Sequence, residues 1–517
     1  MSYDVVLFTD SLVGVWRPRS LGAYRIASEL RKHGYSVKVI DWTGHIFSNY
    51  KLALRIFRKV IGSNTFLVGF SGSHFHATKP TTLRFKRYDN YQSDLGHRPH
   101  PYPGEEYQFD MMVDQMRKLN PTLKIVYGGS WATVDMKFSS KIDYIIPGYA
   151  DNSIIELVNH LLHGANLKFM PGHHPKQKII NHDALGLNFN FSESWTKFEP
   201  EDHIRHGEVM SLETSRGCMF KCSFCTFVLL GRKTTDPKYH KEIDVLSKEL
   251  KYNWENFGIH RYYIMDDTFN ESTGKLKAIH EAVKKSGVPD FQFFAYMRID
   301  LLKKWPEQIP LLKEMGLQSV YFGIESFNDA TLKDIGKPMK SAEVKEFLKE
   351  LKEAWGDSIL LYGSFIFGLP YETPETATEW AKWLFTDENV LDSASIAALE
   401  LDPLIPTVIG DNPEARGYKL KKEQSLDGPY WTWENQYWTK DQATVLSRKF
   451  NEGLNLSRKN KQFSWEILGL QDLGYDFEFI KSTACIDYNR LEIRARLEKQ
   501  RDDYIDTLCK YEGIVDL

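Results

Sequence analysis

Three cysteines stand within eight residues in the stretch Glu213-Thr-Ser-Arg-Gly-Cys218-Met-Phe-Lys-Cys222-Ser-Phe-Cys225, and the 517-residue chain has only two more, Cys485 and Cys509. A 4Fe–4S cluster takes one ligand at each of four irons, and thiolates are its usual donors. A C-x3-C-x2-C triplet therefore leaves one iron without a protein ligand, open to bind a small molecule. The competing use of clustered thiols is a zinc site, which takes a fourth Cys or His close by. Here the nearest downstream histidine, His240, lies 15 residues beyond Cys225.

Elements that could position such a site are legible around it. From residue 209 the pattern is strand, then helix, repeated. Strands are expected at 209–214, 260–265, 291–296, 318–323, 361–367 and 395–401, with helices between most of them. The expected strand ends carry polar groups that packing does not require. They read Met265-Asp266-Asp267-Thr268-Phe269-Asn270, then Ala295-Tyr-Met-Arg298-Ile-Asp300, Phe322-Gly-Ile-Glu325-Ser326, and Gly368-Leu-Pro370-Tyr-Glu372-Thr373. In parallel barrels the carboxyl ends of the strands are where chemistry is done.

The cysteine spacing and these strand-end pieces, in this order, resemble the radical SAM superfamily. That resemblance implies a partial (β/α)6 barrel in which Cys218, Cys222 and Cys225 hold the cluster and S-adenosylmethionine chelates the open iron. Phe224 then stands where the family sets a side chain against adenine. Asp266 and Asp267 occupy the position of the family's Gly-Gly-Glu motif and would accept hydrogen bonds from the methionine ammonium, helix capping being the alternative. Arg298 could grip the methionine carboxylate with its fork or form an ion pair inside the barrel. Glu325 and Ser326 match the G-x-E-S element and would bond the ribose hydroxyls or fix Arg298. The last piece is close to G-L-P-x-E-T, with Gly368 and Pro370 shaping a turn and Glu372 and Thr373 opening a helix.

Upstream, apolar strands at 4–9, 35–41, 66–70, 124–127 and 144–146 alternate with helices such as 20–33 and 50–61, the pattern of a doubly wound parallel sheet. This half resembles the cobalamin-binding domain that precedes many radical SAM domains. The resemblance implies a corrin at Leu12, Ser71, Ser73, Gly128, Gly129 and Gly148. Leu12 stands where the family's D-x-H-x-x-G motif would place an axial histidine, so that signature is absent. Between Ser73 and Gly128 lie 54 residues, an insertion at about 74–105 with His74, His76, His97 and His100, most simply a solvated lid. The expected organisation is a Rossmann-type domain at 1–165, a linker without elements at 166–205, the barrel at 206–405, and a mainly helical region at 406–517. In that last region the tryptophans near 431–438 read as core, and the alternating charges of 490–501 read as a solvated helix face.

Composition bounds the rest. Hydrophobic residues make up 42% and charged ones 26%, with a net charge of −3, which suits a soluble globular chain and gives no drive toward nucleic acid or membrane. Clustered, reduced cysteines fit a reducing cytoplasm. No signal peptide is apparent at the N-terminus. The N-terminal domain has no cysteine, and Cys485 and Cys509 are too few for another cluster, which argues against methylthiotransfer and against an auxiliary-cluster domain. The expectation is an enzyme that cleaves S-adenosylmethionine to a 5′-deoxyadenosyl radical, foremost a cobalamin-dependent methyltransferase acting on an unactivated carbon or phosphorus centre. An electron donor such as flavodoxin or ferredoxin would serve it. The alternatives are a radical SAM oxidoreductase or rearrangement enzyme without cobalamin, and a non-catalytic Fe–S binding or regulatory protein.

Overall fold

Short, mainly apolar strands joined by amphipathic helices bury both faces only in a parallel sheet covered on each side. The computed structural model builds two such sheets. It describes residues 2–9, 18–71, 105–129, 139–172, 175–180, 189–226, 231–233, 236–401, 407–425, 428–462 and 466–514. The first sheet contains β1 (Val5–Phe8), β2 (Val37–Ile40), β3 (Leu67–Ser71), β4 (Lys124–Gly129), β5 (Tyr144–Pro147), β6 (Phe169–Pro171) and β7 (Lys178–Ile180), in the order β2-β1-β3-β4-β5-β7-β6. All neighbours are parallel except β6 and β7. Ser71 pairs with Gly128 and Gly129 with Pro147, so the carboxyl ends of β3, β4 and β5 finish level.

Residues 166–205 are not a linker without elements. They supply β6 and β7, which extend the sheet beyond β5, and single 3-10 turns at Phe191–Glu193 and Pro200–Asp202. Strands of three residues carry too little pattern to be read from sequence, and pairing with β5 is what holds them. The insertion at 74–105 lies outside the described residues up to 104, and a helix, Glu105–Leu119, leads from it into β4.

The second sheet holds β8 (Met210–Leu212), β9 (Arg261–Ile264), β10 (Gln292–Met297), β11 (Leu317–Glu325), β12 (Leu360–Phe367) and β13 (Ser393–Ala398). These six strands are parallel and in sequence order. The sheet curls into a partial barrel: Tyr263 of β9 and Tyr362 of β12 share one buried cluster with Val209 and Phe294. Leu468, on the helix Ile467–Asp472, joins that cluster and plugs the barrel's amino end.

The region after 406 is mainly helical, as expected, but also carries an antiparallel hairpin, β14 (Lys419–Ser425) and β15 (Gly428–Glu434). Trp433 and Trp438 are core residues, and their indoles donate to the carbonyls of Leu399 and Glu372. Gly368 is required there. Its φ is +91°, and a Cβ would stand 2.3 Å from the Trp433 ring.

The helix Arg490–Tyr511 straps the two halves together. Ile493 packs with Ile467 and Leu470 beneath the barrel, whereas Tyr504, Ile505, Leu508 and Cys509 enter the first sheet's core beside Phe8 and Phe57. Just past its end, Glu512 meets Lys38, a fully buried lysine on β2, at 3.0 Å. Lys38 also donates to the Glu201 carbonyl and to the ring of His203. Burial lowers the Lys38 ammonium against the pull of Glu512, and it holds His203 neutral, down to about 3. No helix among the described residues is long and apolar enough to cross a membrane.

Removing one member of a buried pair leaves the other charge uncompensated. Glu512→Gln should therefore cost about 3 kcal/mol in a urea titration at pH 7, with most of it recovered in Lys38→Met/Glu512→Leu. A loss below about 1 kcal/mol would place the pair among solvent-screened ones.

Candidate functional site

The carboxyl ends of the two sheets face one another across a cavity of about 490 Å³. Parallel α/β sheets and barrels both leave their polar loops and free backbone groups at that end. On the first sheet the cavity is lined by Ser71, Gly128, Gly129 and Gly148, with Leu7 and Phe70 behind them. Gly129 and Gly148 have φ of +122° and +69°, conformations that a side chain rarely permits. A ligand can thus approach the backbone of β4 and β5 directly. Of the six residues expected on this side these four line the cavity, and Leu12 and Ser73 lie outside the described residues.

The two sheets are tied across the cavity by buried charges. Arg216, two residues before Cys218, donates to both oxygens of Asp151 (2.7 and 3.3 Å) and to both of Glu213 (3.2 and 3.1 Å). Arg25 reaches Asp151 from the helix Leu21–Lys32 at 3.0 Å. Burial alone would raise the Asp151 carboxyl, but the two guanidinium groups hold it below the usual range. The rings of Tyr149 and Phe191 pack on Arg216 at 4.4 and 4.6 Å. Sequence reasoning missed this network because Asp151 and Arg216 are 65 residues apart.

On the barrel side the two adjacent aspartates do different things. Asp266 is buried and accepts from the Thr214 and Ser215 amides (2.7 and 3.0 Å), the Ser215 hydroxyl and Lys275 (2.8 Å each). Burial works against its charge, yet Lys275 and these donors keep it ionised and below the usual carboxylate range. It pins the start of the cysteine loop to β9. Asp267 points instead into the cavity. Burial, reinforced by the charges of Asp266 and Glu213, pushes its carboxyl up to about 7.

None of the three clustered thiols is in a disulfide. Cys218 lies 3.1 Å from the Thr268 hydroxyl, which follows Asp267. Cys222 accepts from Arg298 at 3.2 Å. The rest of that guanidinium is engaged by Asp300 (2.9 and 3.2 Å) and the Gly336 carbonyl, with the Phe220 ring 3.8 Å away. Arg298 is thus part of an internal ion pair set against the cysteine loop.

Phe224 is half-buried and packs on the main core. Glu325 adopts a left-handed φ of +73° at a bulge in β11, and Lys337 stands 3.4 Å from a carboxyl that burial raises. Ser326 is fully buried and donates to Glu372. The expected helix opening is the work of Thr373, the N-cap, and Glu372 has another role. Burial pushes the Glu372 carboxyl up to about 8, so it stays protonated while accepting from Ser326 and the Trp380 indole. The three cluster cysteines, Phe224, Asp266, Arg298, Glu325 and Ser326 do not line the cavity; Asp267 does, and beyond the sequence reading so do Glu213, Tyr263 and Tyr296.

Residues 212–384 match the model of the Radical SAM superfamily. The chain is 29% identical over 275 residues to an uncharacterized methyltransferase of Pyrococcus horikoshii, covering 50% of this chain and 57% of that protein. It is 26% identical over 266 residues to the cytidylyl-2-hydroxyethylphosphonate methyltransferase of Streptomyces wedmorensis, covering 48% and 46%. The chain spans about half the length of these curated relatives. Among solved structures it superposes on the radical S-adenosylmethionine methyltransferase TsrM of Kitasatospora setae with a TM-score of 0.61 at 15% identity, covering 97% of this chain and 99% of that one. The cobalamin-dependent S-adenosylmethionine radical enzyme OxsB gives 0.57 at 15%, covering 98% and 72%. These likenesses are of fold.

The raised Asp267 carboxyl has a measurable consequence. Unfolded, it loses its proton near 3.8; folded, it keeps it to about 7. Its favourable contribution is therefore complete below the unfolded value and is lost as pH rises through the folded one. Asp267→Asn, which cannot ionise, should melt with the native protein below pH 4 and be more stable by about 4 kcal/mol at pH 8. A stability difference independent of pH would contradict this.

Proposed function

From a chain whose residues 212–384 form a radical SAM domain, we propose a radical SAM enzyme in which cobalamin and S-adenosylmethionine share one cavity and a methyl group is transferred to an unactivated carbon or phosphorus centre. The observation that carries this reading is the single cavity joining Ser71, Gly128 and Gly148 of one sheet to Glu213 and Asp267 of the other. A corrin needs an apolar platform where backbone can approach closely, and the β3, β4 and β5 ends offer one.

The residues fit the groups. Cys218, Cys222 and Cys225 would hold a 4Fe–4S cluster, each thiolate on a different iron. They need not converge on one point, and among the described residues no three Cys, His, Asp or Glu side chains do. The Thr268 hydroxyl and Arg298 provide the polar contacts that tune and orient cluster thiolates. Ser71, Gly128, Gly129 and Gly148 would take cobalamin. When bound, these cofactors supply the organic radical and the transferable methyl group.

The chain's own work is placement. Asp267 offers the ammonium of S-adenosylmethionine a carboxyl in a largely dry site, and binding of that cation would draw off its proton. Asp266 and Lys275 hold the cysteine loop to β9. Arg298, held by Asp300, steadies Cys222. The protonated Glu372 locks Ser326, and with it the end of β11, to the end of β12. A low-potential carrier such as flavodoxin or ferredoxin would deliver the electron. The phosphonate named for the Streptomyces relative is consistent with an unactivated target centre.

Cys222→Ala, purified and reconstituted without oxygen, should lose its iron and more than about 100-fold of 5′-deoxyadenosine formation, with the circular dichroism of the native chain retained. Undiminished cleavage of S-adenosylmethionine in that variant would remove the assigned site.

A further inference from the structure

The barrel lumen is lined with phenols where branched aliphatic side chains ordinarily fill such a space. Tyr263 of β9 and Tyr296 of β10 line the cavity itself, and their hydroxyls are 2.7 Å apart. Tyr296 is in register with Tyr321, and Tyr321 with Tyr362, at ring separations of 4.8 and 4.9 Å. The row ends where the Tyr362 hydroxyl bonds Ser395 of β13. It thus crosses five adjacent strands as one polar, aromatic layer. Packing alone would be served as well by phenylalanine, which carries no hydroxyl to satisfy. The placement described under the proposed function uses none of the four tyrosines.

Tyr263 lies on β9, four residues before Asp267 in the loop that follows, and Tyr296 lies on β10, two before Arg298 just past its end. Both therefore sit inside the lumen, below the rim where Asp267 lies, and in the same cavity. We propose that the Tyr263–Tyr296 pair is a hydrogen-atom donor to a carbon radical formed in this cavity. The inference rests on the radical reading above.

A phenolic O–H bond is weaker than the C–H bond of a methyl group, so transfer runs from oxygen to carbon. The primary C5′ radical takes one hydrogen atom, proton and electron together. The O–H bond breaks, the C–H bond of 5′-deoxyadenosine forms, and a phenoxyl radical remains. Its partner hydroxyl hydrogen-bonds the phenoxyl oxygen, and the neighbouring rings of Tyr321 and Tyr362 give the site a polarizable surround. The phenol is restored by one electron from the low-potential donor that serves the cluster and one proton from water. In the absence of substrate, the pair thereby ends a radical that would otherwise attack the barrel wall.

Phenolic hydrogens exchange with solvent, whereas the C–H bonds of buffer and protein do not, and this makes the donor visible. The full chain with reconstituted cluster is incubated anaerobically in D2O with S-adenosylmethionine and dithionite, without further substrate. The 5′-deoxyadenosine is analysed by mass spectrometry, and frozen samples by electron paramagnetic resonance. The native protein should place one solvent deuterium in 5′-deoxyadenosine and show a phenoxyl signal. Tyr263→Phe/Tyr296→Phe, which keeps both rings, should lose the label and the signal while still cleaving S-adenosylmethionine. Tyr362→Phe, deeper in the row, should keep the label and serves as the folding control for a phenol removed from this layer. Deuterium retained in the double variant, or unlabelled 5′-deoxyadenosine from the native protein, overturns the assignment. Absence of 5′-deoxyadenosine from every form overturns the radical reading, and this inference with it.

Discussion

Arg216 reaches Asp151 across the gap between the two parallel sheets, two residues from the first cysteine of the loop. Both side chains are almost wholly buried, and Arg25 and Glu213 complete the network at its two ends. Buried charges are costly unless every partner is in place. This one interaction fixes how the first sheet's carboxyl ends face the barrel mouth, and so fixes the cavity between them. The strap Arg490–Tyr511 holds the opposite side of the same arrangement, with apolar contacts to each core and the Lys38–Glu512 pair at its end. A chain tied on both sides in this way can keep a large cavity open at its centre.

Within that frame the chemistry depends on neighbouring groups being pushed apart in their protonation. Asp266 and Asp267 are adjacent in sequence, yet one is charged within a web of donors and the other holds its proton near neutrality. Ions of like sign so close together in a low dielectric cannot both be stable, and the donors decide which one ionises. Glu372 is the same case without a rival: buried, protonated, and used as a lock between two strand ends. The barrel mouth therefore combines rigid polar fastening with one carboxyl left to respond to a ligand.

What could be read from the residues followed from local pattern. Val5–Phe8 and Leu67–Ser71 stand out as apolar runs, and Ser71, Gly128 and Gly148 follow from where such strands stop. The β6–β7 pair escaped because three-residue strands have no periodicity of their own and exist through β5. The β14 strand escaped because Lys419-Leu-Lys-Lys-Glu reads as a solvated segment, and β15 is what it pairs with. Roles set by distant partners were the least legible. Nothing near Ser326 announces that Glu372 will occupy its hydroxyl, and nothing near Arg298 announces how Asp300 and Cys222 divide its guanidinium. The tyrosine row was present in the strands all along, but it becomes a feature only when register brings Tyr296, Tyr321 and Tyr362 side by side.

The central claim is that both sheets present their strand ends to a shared pair of cofactors. Its most direct test is the corrin content of the protein purified without oxygen from cobalamin-supplied cells, determined by visible spectrum and mass spectrometry beside the iron content. The account predicts close to one corrin per chain together with a full cluster. A full cluster with no corrin would contradict it, and would leave the cavity at Ser71, Gly128 and Gly148 to a different ligand.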